Sequence, residues 1–249
     1  MHVIDAQRTD VSQSKSISTG CVSIALLLLF GEHPTVAADV SVQMTSAAAP
    51  HTCVAVTPGE VRPEFGCFRI GIAKNLIFSD PAVFWHLKPY PSLAAANAAK
   101  SSSGIVVEED GRVWLSEFGS KDRASQGGHR VAMIGPLSVV AGKKYDAEIA
   151  YSVMAPSDHS RVHMHAGPEA WYVLAGAQCL ETPAGTLRGH TGETMIAAPN
   201  GPMQLSVTSA DVAKALTLVI HESTQEFGAA SDWKPAGACQ RLSSNLVGR

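Results

Sequence analysis

Two histidines and a glutamate lie close together in the C-terminal half of this 249-residue chain: His163, His165 and Glu169. Residues two apart in a β-strand project to the same side, so the two imidazoles are expected to point the same way. The intervening Ala166-Gly-Pro168 indicates a turn that brings Glu169 in beside them on the next strand. Two imidazoles and one carboxylate that converge on one point are typical ligands of a divalent metal ion.

The identity of such an ion stays open. Two histidines and a carboxylate with free coordination positions suit oxygen activation at iron, but also Lewis-acid or water-activating roles at zinc, manganese or nickel. The general affinity order favours copper and zinc when a protein acquires its metal outside the cytoplasm. Glu169 is the predicted catalytic residue, as a ligand or as a proton shuttle. In the alternative interpretation, the three side chains bind a ligand by hydrogen bonds without any metal.

A long series of short strand-like runs surrounds this candidate site, between residues 131 and 221. The runs are separated by Gly, Pro, Asn and Asp and show almost no helical periodicity. Many short strands at this spacing indicate a sandwich or a barrel. We therefore predict a β-barrel domain at residues 130–235.

The preceding residues predict a small α+β unit at 61–125, separated from the barrel by a loop-like segment at 119–130. Pro91 and Ser92 open a short predicted helix that ends near Lys100. Two β-type runs around Asp110-Gly111 then indicate a hairpin. Residues 61–125 contain no recognisable catalytic constellation.

The spacing of the candidate ligands resembles the first motif of the cupin superfamily, G-x5-H-x-H-x3-4-E-x6-G. Four residues match it at the correct spacing: His163, His165, Glu169 and Gly176. The resemblance covers roughly residues 130–225. It implies a double-stranded β-helix, or jelly-roll, barrel, so the predicted fold class is mainly β, with the α+β unit before the barrel.

The second cupin motif, G-x5-P-x-G-x2-H-x3-N, is recognisable between Gly192 and Thr208, with a first interval that is one residue longer. Gln204 stands where this motif has its fourth ligand, a histidine. The resemblance thus implies Gln204 as a further metal ligand, although an amide oxygen is a harder and weaker donor than imidazole. A structural role, or a hydrogen bond to a metal-bound water, is the alternative for Gln204.

Other side chains near the motifs have weaker functional signals. Trp171 should face the same side as Glu169, either as an aromatic wall of a ligand cavity or as part of the core. Four further histidines are assigned to loops or structural positions: His86, His159, His190 and His221. Of these, only the loop histidines, His159 and His190, are considered for an acid or base role at the open end of the barrel.

The N-terminus has the three-part order of a secretory signal peptide, predicted at residues 1–38. A polar start with Arg8 and Lys15 leads into the apolar run 21–30, which small residues follow. The run is shorter than the roughly 20 residues that a membrane helix needs, so a retained anchor is the weaker alternative. Residues 39–60 are predicted to be a linker. The expected location is periplasmic or secreted, without membrane association after cleavage.

Four cysteines remain after removal of the signal peptide: Cys53, Cys67, Cys179 and Cys239. An even number in an exported protein suggests up to two disulfides, but four cysteines allow three pairings. Buried free thiols are the alternative, since cysteine often behaves as a small hydrophobic residue.

The charge balance bears on the kind of partner. Removal of residues 1–38 takes two basic and three acidic residues from the totals of 19 and 22, which leaves a net charge of −2. The sequence has no clustered Lys/Arg footprint of the kind that nucleic acids and anionic membranes require. A small-molecule substrate or ligand is the expected partner, and a homodimer is left open.

Two functional hypotheses follow. The first is a metal-dependent enzyme acting on a small organic molecule. For metal cupins the resemblance implies dioxygenation, and hence oxidoreductase activity, or decarboxylation, isomerisation or lyase chemistry. The second is a non-catalytic protein of the cupin fold that binds a small molecule, a sugar or a metal.

Overall fold

Short runs of alternating apolar and polar residues form most of the regular structure in this computed structural model, which describes residues 53–57, 59–123 and 127–240. The predicted signal peptide and most of the predicted linker lie outside the described residues. The strands and the helix are β1 (Val54–Ala55), β2 (Gly66–Ile77), β3 (Ala82–Tyr90), α1 (Leu93–Ala99), β4 (Ile105–Glu109), β5 (Arg112–Gly119), β6 (Ala132–Ser138), β7 (Lys144–Met154), β8 (His163–Met164), β9 (Glu169–Ala175), β10 (Ala177–Thr182), β11 (Gly185–His190), β12 (Thr194–Ala197), β13 (Gln204–Val207), β14 (Ala213–Glu222) and β15 (Ala229–Ala230).

The described strands form three principal sheets. A six-stranded central sheet has the order β1-β2-β7-β14-β9-β12. The N-terminal sheet has the order β4-β5-β3-β6, and the C-terminal sheet the order β11-β10-β13. A small ribbon pairs β8 with β15. The predicted mainly β class is confirmed, with separate sheets that pack face to face.

Alternation along β14 explains how the central sheet separates two cores. Leu216, Leu218 and Ile220 belong to a buried cluster shared with the N-terminal sheet. Ala213 and Ala215 belong to a second cluster, which also contains Leu180 and Leu205 of the C-terminal sheet. Successive residues of a strand point to opposite faces, so one strand contributes to both cores. The face toward the C-terminal sheet is called the inner face below.

The predicted local elements of the N-terminal region are confirmed. The Ser92 side chain accepts a hydrogen bond from the Ala95 amide and caps α1. Asp110 and Gly111 have φ angles of 53° and 70°, and they join β4 to β5. Positive φ at both central residues is what a two-residue hairpin turn requires, and Asp-Gly tolerates it.

The predicted α+β unit shares its sheets and its core with the predicted barrel. β2 pairs with β7 from Gly66 to Ile77, across the expected boundary near residue 125. Trp85 and Trp114 of the N-terminal sheet lie in one buried cluster with Ile149 of β7. Pairing between segments so distant along the chain leaves no local signal in either strand, so no sequence pattern indicated that the two predicted units share a sheet and a buried cluster.

Both expected disulfides are formed, with the pairing Cys53–Cys67 and Cys179–Cys239. The first disulfide links Cys53, which precedes β1, to Cys67 in β2. The second links Cys179 in β10 to Cys239, near the end of the described residues. Disulfides of this kind are compatible with an extracellular location. No helix among the described residues has the length and apolar character needed to cross a membrane.

Candidate metal centre

The turn between β8 and β9 brings the predicted ligands together. His163 opens β8, and Glu169 opens β9 after the turn. A side chain at Gly167 would collide with the backbone carbonyl of Ile220, so only glycine lets this turn lie against β14. As a result, the potential ligand atoms of His163, His165 and Glu169 all lie within 4.8 Å of one another.

The two imidazole rings are each held through one nitrogen. Nδ1 of His163 is 2.9 Å from the carbonyl oxygen of Arg161, and Nδ1 of His165 is 2.5 Å from the carbonyl oxygen of Phe227. A carbonyl oxygen only accepts, so each Nδ1 donates its proton. In the neutral rings, Nε2 then carries the lone pair that a metal ion would use.

Glu169 faces His165 at ion-pair distance. Its Oε2 lies 3.2 Å from Nε2 of His165, and it is buried with no hydrogen-bond partner among the described residues. A buried carboxylate oxygen beside a nitrogen lone pair is unfavourable unless a positive charge lies between them. A metal ion would supply that charge, and the donor set therefore fits one.

A proton is the competitor of a metal ion at this position. Burial alone would lower the pKa of His165, but the Glu169 carboxylate and the Phe227 carbonyl together raise it above its ordinary value. The same negative charge that favours the imidazolium would favour a bound cation.

Gln204 lies apart from these three side chains. Its Nε2 donates to the carbonyl of Ser160 at 3.0 Å, and its Oε1 is 3.4 Å from Nε2 of Gln240. It pairs in register with Glu181, whose carboxylate accepts from the backbone amide of Cys239. These contacts give Gln204 the structural role that the sequence analysis left open. Direct ligation stays a prediction, and it would require both of its hydrogen bonds to break.

Met203, and not Gln204, has its side chain on the same face as His163. Its backbone forms a bridge with His163, so the side chains of Met203 and His163 project to the same face. Met203, Leu205 and Val207 all belong to the inner cluster, which leaves Gln204 on the opposite face. The motif spacing differs by one residue from the superfamily pattern, and a shift of one residue in a strand reverses the facing of every side chain.

A charged row that the sequence analysis did not single out lies beside the site. Nε2 of His221 is 3.2 Å from Oε1 of Glu148, and Arg69 contacts Oε2 of Glu148 at 3.2 Å. Glu148 lies in the same cross-strand row as Glu169, with Val219 between them. The available sequence signal was a glutamate between two apolar residues, Ala147 and Ile149, near the middle of β7.

Phe227 connects the charged row to the candidate ligands. Its ring centre lies 5.0 Å from that of His165 and 6.4 Å from that of His221, and the Arg69 guanidinium lies 5.1 Å from it. Its carbonyl binds His165 as well. The buried Phe227 therefore packs against His165 and His221, both of which are themselves buried.

The remaining candidates have varied surroundings. Trp171 is buried in the inner cluster on the same face as Glu169, the core position that was one of its two interpretations. His86 is buried, with Nε2 2.9 Å from the Ser120 carbonyl. The side chains of His159 and His190 are exposed, so their acid or base role stays a prediction.

No family model matches the sequence, and no curated protein matches it significantly. Solved structures similar to this chain include a cupin superfamily protein from Desulfitobacterium hafniense, at 8% identity over 34% of this chain and 74% of that one, with a TM-score of 0.28. A polyketide cyclase from Streptomyces resistomycificus matches at 16% identity over 35% of this chain and 62% of that one, with a TM-score of 0.31. A cupin domain from Bordetella pertussis matches at 14% identity over 34% and 88%, with a TM-score of 0.27. At these identities the likeness concerns the fold alone.

Proposed function

We propose that this chain is a metal-dependent enzyme of the cupin type that acts on a small organic molecule. His163, His165 and Glu169 would hold the ion. One observation carries the proposal: the potential ligand atoms of His163, His165 and Glu169 lie within 4.8 Å of one another, and His165 and Glu169 are buried. A buried carboxylate needs a positive charge beside it, and a bound cation held by these three side chains would supply that charge.

Each residue of the site would have a distinct role in binding or catalysis. The hydrogen bonds from Nδ1 of His163 and His165 orient both rings, so that Nε2 of each faces the ion. Phe227 limits the access of water to the imidazoles. The ion, when bound, would act as a Lewis acid toward substrate oxygens. Glu169 would bind the ion or move a proton, and the Glu148–His221 pair would be a further proton donor or acceptor on the same face.

Dioxygenation, decarboxylation, isomerisation and lyase chemistry remain the proposed reaction types, on Zn, Mn, Cu, Fe or Ni. We further propose that the protein is exported, to the periplasm or the medium. The two disulfides support this location, because such bonds persist in oxidising compartments.

A non-catalytic binding protein is the second candidate, and the position of Phe227 favours it. The side chain is 6% exposed and lies against His165, which restricts the approach of a substrate to that ligand. Such a protein would bind metal without turning over any substrate.

The metal site is tested by His163→Ala and His165→Ala. Each should abolish stoichiometric binding of a divalent ion, because each removes one of three strong donors, while the β-sheet circular dichroism stays unchanged. The matched control is His190→Ala, an exposed histidine outside the ligand set. Elemental analysis after native purification and chelator competition measure the effect. Wild-type metal affinity in both variants would show that these two histidines are not metal ligands.

Turnover separates the two candidates. The metal-loaded protein is supplied with phenols, diketones and organic acids, while oxygen uptake and product formation are followed. Turnover that is lost in His165→Ala would support the enzyme, and tight metal binding without turnover would support the binding protein.

A further inference from the structure

The strand register places a sulfur-containing side chain beside the first histidine of the site. The amide of His163 donates to the carbonyl of Met203 at 3.1 Å, and the amide of Met203 donates to the carbonyl of His163 at 2.8 Å. Two residues that exchange both hydrogen bonds are directly opposite each other, with Cα atoms about 5.5 Å apart and side chains on one face.

Met203 is buried in the inner cluster, beside residues that flank Glu169. Its side chain is 1% exposed and belongs to the inner cluster, together with Trp171 and Ala197. Ala197 is the cross-strand neighbour of Glu169. Trp171 follows two positions after Glu169 on the same face. Met203 therefore lies between the strand that carries His163 and the residues that flank Glu169.

We infer that Met203 contributes its thioether to the ion held by His163, His165 and Glu169, and that the site prefers copper as Cu(I). This inference rests on the proposed metal site. A thioether is a soft donor that selects Cu(I), whereas it adds little for zinc, manganese or ferrous iron. The long, unbranched methionine side chain has three rotatable bonds, which let the sulfur adjust to an ion.

The charge of the donor set agrees with a monovalent ion. Two neutral imidazoles, a thioether and one carboxylate carry a single negative charge, which Cu(I) neutralises.

The test compares Met203→Leu with Met195→Leu. Both replace a buried methionine of the inner cluster with an apolar residue of similar volume, which the core should tolerate. Met195 pairs with Trp171 rather than with a candidate ligand, so it is the matched control. Anaerobic competition with a chromophoric Cu(I) chelator, and separate competition for Zn(II), are measured on the wild type and on both variants.

Met203→Leu should weaken Cu(I) binding about 10- to 100-fold or more, since even changes around the direct ligands have effects of that size. Its Zn(II) affinity should stay unchanged, and Met195→Leu should leave both affinities unchanged. X-ray absorption of the copper-loaded wild type should show one sulfur neighbour.

Three outcomes would overturn the inference. Unchanged Cu(I) affinity in Met203→Leu, with binding lost in His163→Ala, would exclude the thioether as a ligand. The proposed metal site would stay intact. A copper shell without sulfur would do the same, even if Met203→Leu failed to fold. A wild type that binds neither Cu(I) nor any divalent ion would overturn the proposed function together with the inference.

Discussion

Each imidazole of the candidate site has its Nδ1 bound to a backbone carbonyl, so its Nε2 is the nitrogen that would bind a metal ion. The carbonyls of Arg161 and Phe227 decide this, because they accept the Nδ1 protons of His163 and His165. Neither carbonyl can be recognised in the sequence, since any residue type supplies one. The arrangement shows why the H-x-H spacing alone predicts a metal site but not which ring nitrogen faces it.

Gln204 gives a prediction at the scale of a single residue. Gln204→Ala should leave metal affinity unchanged, because its amide binds the Ser160 carbonyl and Gln240 instead of the ligand set. It should lower the free energy of unfolding by about 1 kcal/mol, the usual net contribution of a hydrogen bond. Chelator competition and urea denaturation measure the two effects. A loss of affinity as large as that of His165→Ala would establish direct ligation.

His221 gives a pH-dependent prediction. Burial lowers its pKa, but the hydrogen bonds to Glu148 and to the Glu222 carbonyl more than offset this and raise the pKa above its ordinary value. A raised pKa in the folded state stabilises the fold fully below the unfolded pKa of about 6.5, and the contribution is lost as the pH rises through the folded pKa.

His221→Gln should therefore lower the free energy of unfolding more at pH 6 than at pH 9. Urea denaturation at both pH values measures the difference, with the exposed His190→Gln as the control. An equal cost at both pH values would show that the Glu148–His221 contact does not favour the charged ring.

At the scale of elements, the disulfide between Cys179 and Cys239 holds the C-terminal segment against β10. Both cysteines are fully buried, and the backbone amide of Cys239 also donates to Glu181 on the same strand. This segment covers the face of the C-terminal sheet that carries Gln204. The disulfide thus holds the C-terminal segment against the outer face of the C-terminal sheet, the face opposite the inner cluster. The candidate site lies on the inner face.

The two disulfides should differ in their contribution to stability. Cys179 and Cys239 are 60 residues apart, whereas Cys53 and Cys67 are 14 apart. Closing the longer loop removes more entropy from the unfolded chain, about 4 kcal/mol against about 3 kcal/mol. Double Cys→Ala variants of each pair, compared by guanidinium denaturation, should show the larger loss for Cys179–Cys239. The reverse order would mean that native-state effects outweigh loop entropy.

At the scale of the whole molecule, the central sheet makes the two predicted units depend on each other. Tyr151 and Leu218 of the predicted barrel lie in one cluster with Trp85 of the N-terminal sheet. Removal of the N-terminal residues would expose this cluster to water, at a cost of roughly 25 cal/mol per Å² of apolar surface.

A fragment of residues 130–235 should therefore fail to fold on its own. It lacks β2, the partner of β7, and three of the four strands of the N-terminal sheet that packs on the shared cluster. Size-exclusion chromatography and thermal denaturation of this fragment, beside residues 53–240, test the expectation. Cooperative unfolding of the fragment at the temperature of the longer chain would establish an independent barrel domain.

The local sequence was sufficient for features that depend on neighbouring residues. Strand alternation placed Trp171 on the face of Glu169, and Asp110-Gly111 predicted the hairpin between β4 and β5. The spacing of His163, His165 and Glu169 predicted that their side chains would meet, since two strands and one tight turn separate them. In each case the geometry follows from the period of a strand or the φ angles of a turn.

Only the tertiary structure decided which distant segments meet. It paired β2 with β7, chose one of three disulfide pairings, and brought Glu148 and Phe227 to the ligands. It also set the register that turns Met203 toward His163 and Gln204 away from it. Register between remote strands depends on the packing of a whole sheet, and a shift of one residue reverses the facing of a side chain, so no local pattern could determine it.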